Sequence, residues 1–177
     1  KEWLDELVLS DKPEYTNRLK FEWNPFDGEE VIRVAGQTDV YFDAAIDRET
    51  AILSCMLVDL GTDRRLTLEM PEVPGADDGT YRFGVEEEPS EYKVISRGWL
   101  NAQNRNTIWS KDKVVPGEKY SYHINMVPTD HLVKKGHRLG LIIYGIDAEA
   151  TQRPEVKTSV TVDAASIRAE IPMVRIK

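Results

Sequence analysis

The sequence predicts an all-β domain, a β-sandwich or jelly roll. Polarity repeats every second residue in several segments, two other segments are apolar throughout, and glycine- and proline-bearing turns separate the runs at short intervals. Taken in order, Lys1 to Leu9 sets Trp3, Leu4, Leu7 and Val8 at helical spacing, so a short amphipathic helix is expected first. Phe26-Asp27-Gly28 reads as a turn. Val40, Phe42, Ala44 and Ile46 then alternate with Asp39, Tyr41, Asp43 and Ala45, the period of a strand with one buried and one wet face. Ala51 to Val58 is almost wholly apolar and reads as a central strand covered on both faces. Leu60-Gly61-Thr62-Asp63 reads as the turn that ends it. Leu66, Leu68 and Met70 alternate with Arg65, Thr67 and Glu69, and Pro71 to Gly79 reads as a long surface loop.

A strand is expected around Val94, followed by a turn or short helix over Asn101 to Trp109. Val115-Pro116-Gly117-Glu118 reads as a turn, where proline pre-sets φ and glycine tolerates positive φ. Tyr120, Tyr122, Ile124 and Met126 alternate with Ser121, His123 and Asn125. Lys134-Lys135-Gly136 is a further turn, and Leu139 to Ile146 is the second continuously apolar run. Ile167, Ala169 and Ile171 close the pattern by alternating with Ser166, Arg168 and Glu170.

The 177 residues suit one domain spanning 1–177, with 1–30 the least regular part. A chain of this size buries roughly 70% of its unfolded surface and needs no disulfide or metal to fold. The formal net charge of −8 opposes non-specific nucleic-acid binding, which depends on a basic surface. No apolar run approaches the ~20 residues of a membrane-spanning helix. The one cysteine, Cys55, lies in the first apolar run and reads as a small core hydrophobe; no intrachain disulfide is possible, which permits a reducing compartment. The chain opens on Lys1 instead of methionine, so the lack of a leader carries no weight.

The chemistry-bearing residues form no local constellation. No Gly-x-Ser-x-Gly elbow surrounds any serine, and His123, His131 and His137 show no metal-ligand spacing. His123 falls on the polar face of its strand, His131 follows the Pro128-Thr129-Asp130 turn, and His137 beside Arg138 opens the Leu139 strand; each reads as a turn-fixing or packing residue. Glu86-Glu87-Glu88 with Glu91 reads as a solvated face, with a calcium site through Asp77, Asp78 and Glu86 the sharper alternative. No cofactor is expected. Trp99 and Trp109, ten residues apart, flank Asn101, Gln103, Asn104 and Arg105. Aromatic platforms beside amide and guanidinium groups are how sandwich domains hold sugars, while core or domain-interface packing is the favoured reading. The candidate interface or ligand-contact residues are therefore Trp99, Asn101, Trp109, His131, His137 and Arg138.

Several tokens together carry a family resemblance: Ser96-Arg97-Gly98-Trp99-Leu100-Asn101-Ala102, Pro116-Gly117-Glu118, Pro128-Thr129-Asp130-His131, Lys135-Gly136-His137-Arg138-Leu139, Ile143-Tyr144-Gly145, Asp147-Ala148-Glu149-Ala150-Thr151 and Thr151-Gln152-Arg153-Pro154. In order and spacing the chain resembles the C-terminal domain of Xaa-Pro dipeptidyl-peptidases, serine peptidases related to cocaine esterase. The resemblance implies a jelly-roll sandwich of galactose-binding-like type. It also implies an upstream α/β-hydrolase domain of the same chain, carrying the Ser-Asp-His triad that releases Xaa-Pro dipeptides. A cytoplasmic, often homodimeric parent is implied as well. No position here matches the triad motif, so the chain is expected to be a non-catalytic domain packed on the hydrolase domain. The alternatives are a carbohydrate-binding module, or the same domain from a related esterase or acylase.

Overall fold

In the computed structural model, residues 2–11, 17–69, 82–153 and 156–176 are described. One α-helix, α1 (Glu2–Leu9), precedes twelve strands: β1 (Arg18–Trp23), β2 (Val31–Gly36), β3 (Asp39–Ile46), β4 (Ile52–Asp63), β5 (Leu66–Glu69), β6 (Arg82–Val85), β7 (Ser90–Asn101), β8 (Lys119–Asn125), β9 (Thr129–Val133), β10 (Arg138–Tyr144), β11 (Val160–Glu170) and β12 (Met173–Ile176). They form an antiparallel four-stranded sheet, β1-β10-β4-β7, two three-stranded sheets, β11-β3-β8 and β12-β2-β9, and a β5-β6 ribbon.

The two apolar runs are the two central strands of the four-stranded sheet, and their side chains divide between two cores. Leu53, Cys55 and Leu57 of β4, with Leu139, Leu141 and Ile143 of β10, meet Ile32, Val34, Val40, Phe42, Ala44, Ile46, Tyr122, Ile124 and Val133 from the smaller sheets. This is the interior of an all-β sandwich. On the opposite face, Met56, Val58, Leu60, Ile142 and Tyr144 meet Leu7 and Val8 of α1. Cys55 is fully buried, and desolvation pushes its thiol pKa far above the ordinary range.

Eight residues are too few to hold a helix in water, so α1 depends on that packing. Burying Leu7 and Val8 contributes about 1.5–3 kcal/mol each. Glu2 and Asp5 suit the positive N-terminal end of the helix. At the other end, Arg18 donates to the Leu7 and Ser10 carbonyls and Lys20 Nζ to the Val8 carbonyl at 3.1 Å, so cations from β1 satisfy the last turn.

The expected alternating strands are β3, β8 and the second half of β11, with Val40, Phe42, Ala44 and Ile46 all buried. Three readings need correction. Leu60-Gly61-Thr62-Asp63 is not a turn, because β4 runs through it to Asp63. Gly61 is needed there for space, since a Cβ would collide with the His137 ring. His131 does not follow a turn, because Thr129 and Asp130 already belong to β9 and pair with Gly36 and Ala35. Finally, β11 starts at Val160, earlier than its alternation suggests, and its register shifts between Asp163 and Arg168. The expected loop over Pro71 to Gly79, with Met70, Asp77 and Asp78, lies outside the described residues, as do Lys1 and Pro154.

Candidate functional site

Three regions concentrate the polar and aromatic side chains. The first is built on Asp59, a β4 residue with 1% exposure. Its Oδ1 accepts from His137 Nδ1 at 2.8 Å; its Oδ2 accepts from His131 Nε2 at 2.8 Å and from Arg65 Nη1 at 2.9 Å. Burial would raise the carboxyl pKa, but the two imidazole hydrogen bonds and the guanidinium outweigh it and hold the group below its ordinary value. Asp59 is therefore ionised and can only accept, so each imidazole carries a proton on the nitrogen that faces it. Arg65 Nη2 also donates to the Gly61 carbonyl at 2.6 Å. Four segments, β4, β9, the start of β10 and the base of the β5-β6 ribbon, are thereby fastened to one carboxylate.

The second region is built on Asp147, just beyond β10 and fully buried. Its Oδ2 accepts from Tyr144 Oη at 2.7 Å, Trp99 Nε1 at 3.2 Å and Arg97 Nη1 at 3.1 Å. Its Oδ1 accepts from the backbone amides of Glu149 at 2.9 Å and Ala150 at 3.1 Å. Burial opposes ionisation here too, and these donors again prevail and lower the pKa. Arg97 completes the link with an ion pair to Glu149 at 2.7 Å. Trp99, 38% exposed, is held edge-on by this carboxylate. Gly98 beside it has a steric duty: a Cβ would come within 2.7 Å of Ile124 Cγ2 and 3.1 Å of the Asn125 carbonyl oxygen.

The third region is the connection between β7 and β8. Asn101 Oδ1 accepts from Gln103 N at 2.9 Å and opens a short 3-10 turn, Ala102–Asn104. Asn104 Nδ2 donates to the carbonyls of Thr107 at 3.3 Å and Ser110 at 3.0 Å. Arg105 Nη2 donates to the Lys113 carbonyl at 3.1 Å, and its guanidinium lies 4.4 Å from the Tyr120 ring centre. At the tip, Ile108 is 74% and Trp109 89% exposed.

The six candidate residues thus fall into separate places. His131 and His137 meet at Asp59. Trp99 belongs to the Asp147 cluster, and Asn101 and Trp109 to the β7–β8 connection. Arg138, although adjacent to His137, points elsewhere and pairs with Glu22 at 3.1 Å. Adjacent strand residues face opposite sides, which is why the His137-Arg138 pair does not act as one unit. Of the amide and guanidinium groups expected to face sugar hydroxyls, those of Asn101, Asn104 and Arg105 are engaged within the loop itself, whereas Gln103 joins the loop through its backbone N–H and carbonyl. Asp59, Arg65, Arg97, Tyr144 and Asp147, the residues that organise these regions, gave no local signal of that role; Arg97, Tyr144 and Asp147 stood inside resemblance tokens.

Among the described residues, this geometry assembles no nucleophile with a base. The hydroxyls of Ser54, Ser90, Ser96, Ser121 and Ser166 donate to carbonyl or carboxylate oxygens. His123, stacked on Tyr41 at 4.2 Å, meets Asp39 at 2.9 Å, so every imidazole is matched to a carboxylate. Among the described residues no three histidine, cysteine or acidic side chains are grouped to hold a metal ion.

Comparison with known proteins follows the same line. The family described as the X-Pro dipeptidyl-peptidase C-terminal non-catalytic domain matches residues 3–174. The Xaa-Pro dipeptidyl-peptidase of Lactiplantibacillus plantarum is 30% identical, over 98% of this chain and 22% of that protein. That of Ligilactobacillus salivarius is 29% identical, over 97% and 22%. This chain thus spans about a fifth of the length of these relatives. Among solved structures, an α-amino acid ester hydrolase superposes with a TM-score of 0.58 at 14% identity, covering 92% of this chain and 26% of that one. A CocE/NonD family hydrolase from Staphylococcus aureus superposes with a TM-score of 0.56 at 16% identity, covering 89% and 30%. At these identities the structures share the fold.

Proposed function

The chain belongs to the family of X-Pro dipeptidyl-peptidase C-terminal non-catalytic domains, and from that premise we propose that it packs on an α/β-hydrolase domain within one longer polypeptide. That domain would carry the Ser-Asp-His triad and release Xaa-Pro dipeptides from peptide N-termini by an acyl-enzyme route. The contribution of this domain is structural: it covers apolar surface of its neighbour and steadies the catalytic cleft. The observation that carries this reading is the placement of the nucleophile types: the hydroxyls of Ser54, Ser90, Ser96, Ser121 and Ser166 donate to carbonyl or carboxylate oxygens and Cys55 is sealed in the core, so none of them is set against an imidazole.

Hydrolysis of Gly-Pro-nitroanilide tests it. The full-length polypeptide should turn the substrate over and this domain alone should not; turnover by the domain would refute the reading. Preference of the full-length polypeptide for amino-acid esters over the Xaa-Pro amide would instead make the parent an esterase or acylase. The carbohydrate-binding reading retains exposed Trp109 as its support. We read the sandwich as a jelly roll, supported by pairing between strands far apart in sequence, such as β1 with β10 and β2 with β9. The lone buried thiol suits a reducing, cytoplasmic setting. A homodimeric parent follows from the resemblance and is checked by light scattering of the full-length protein.

A further inference from the structure

We propose that the loop over residues 105–113, led by Ile108 and Trp109, is the anchor by which this domain grips the hydrolase portion of its own polypeptide, an inference that rests on the reading above. The loop is ordered from within. Besides the Asn104 and Arg105 contacts, Asn106 Nδ2 donates to Asp112 Oδ2 at 3.0 Å, Asp112 N to the Gln103 carbonyl at 2.6 Å, and Trp109 N to Thr107 Oγ1 at 3.2 Å. Ala102 and Val114 are fully buried at its two ends. The fold thus fixes this segment and yet leaves its two large apolar side chains in solvent. A tryptophan buries about 150–250 Å² when covered and is the residue type most enriched among interface hot spots. A loop ordered beforehand loses little further entropy on docking. Asn106, Ser110 and Lys111 are exposed around the tip and supply a polar rim.

The occupant follows from what surrounds the loop. The relatives carry roughly four-fifths of their length outside the matched part, so a large neighbouring body is tethered to this domain. Tethering makes contact intramolecular, at an effective concentration no free partner matches. A sugar is disfavoured because the Asn104 amide and the Arg105 guanidinium beside the tip bond within the loop.

Hydroxyl-radical footprinting of the full-length polypeptide, read by mass spectrometry at Trp109, tests the anchor without any substitution. Trp109 should label at least tenfold more slowly in the native protein than in the same protein unfolded in urea, with no change on dilution. Labelling within twofold of the unfolded rate would overturn the proposal. Protection that disappears on dilution would assign the loop to a second copy, and protection seen only with added cello- or chito-oligosaccharide would assign it to glycans; either also overturns it. An Ile108→Ser/Trp109→Ser variant of the full-length protein should keep its far-UV circular dichroism and release this domain at least tenfold faster on limited trypsinolysis. Gly-Pro-nitroanilide turnover in the same samples separates the two claims. Turnover with an unprotected Trp109 refutes the anchor alone, and a protected Trp109 without turnover refutes the peptidase reading alone.

Discussion

At Asp59 the fold buries a charge and answers it with three donors, whereas at Trp109 it orders a loop and leaves an indole in water. The first region is closed. Its residues come from four segments, and each has its partner within the domain. The second is open: Asn104, Arg105 and Asn106 bond within the loop, while its apolar tip stands in solvent. The difference separates what holds this domain together from what it offers to another body. Two histidines on a buried carboxylate resemble part of a hydrolytic site, yet their geometry is that of a fastener. The surface-exposed tryptophan has no chemistry of its own and is the stronger candidate for function.

The contrast can be broken by substitution. Asp59→Ala should have the largest effect, because it leaves the buried Arg65 and two half-buried imidazoles without their anion; a loss of about 3–5 kcal/mol is expected from urea unfolding followed by circular dichroism. A loss under about 1 kcal/mol would mean the cluster is not a fastener. Acid should act on the same group. The Asp59 and Asp147 carboxyls have lowered folded-state pKa values, so their contribution is fully present above the unfolded value near 4 and drains as pH falls through the folded ones. Urea midpoints should therefore drop below about pH 4, less steeply in Asp59→Ala than in the parent. Trp99→Phe keeps an aromatic ring but removes one of several donors to Asp147, and should cost about 1 kcal/mol. Trp109→Ser should change the stability of this domain by less than about 0.5 kcal/mol, since no contact within the domain depends on the indole. A larger loss would place Trp109 on the fastening side of the comparison.

The sequence made the closed parts of the framework visible only where they were local. The runs Ala51 to Val58 and Leu139 to Ile146 announced central strands because both faces of a covered strand must be apolar. The alternation in β3 and β8 was equally clear. In β1, Leu19, Phe21 and Trp23 alternate with Arg18, Lys20 and Glu22, the same period over only six residues. The Asp59 cluster was not legible, because Asp59 lies 72 residues from His131 and 78 from His137, and only the sheet pairings bring them together. Gly61 misled for a related reason: a glycine needed for side-chain space resembles one needed for a turn. The tokens that carry the family resemblance prove to be fastening points. Arg97 and Asp147 bond to each other, and Gly98 admits the neighbouring strand. Gly117 and Gly136 take positive φ in their turns, and His131 and His137 converge on Asp59. Trp109 lies in none of them.

The burial of Cys55 has a practical corollary. With its thiol sealed between sheets and held in the protonated form, the domain presents no native sulfur nucleophile to a reagent in solution. A Ser110→Cys substitution beside the exposed indole would therefore give this domain one addressable handle. A photo-crosslinker or fluorophore placed there would report from the loop tip alone.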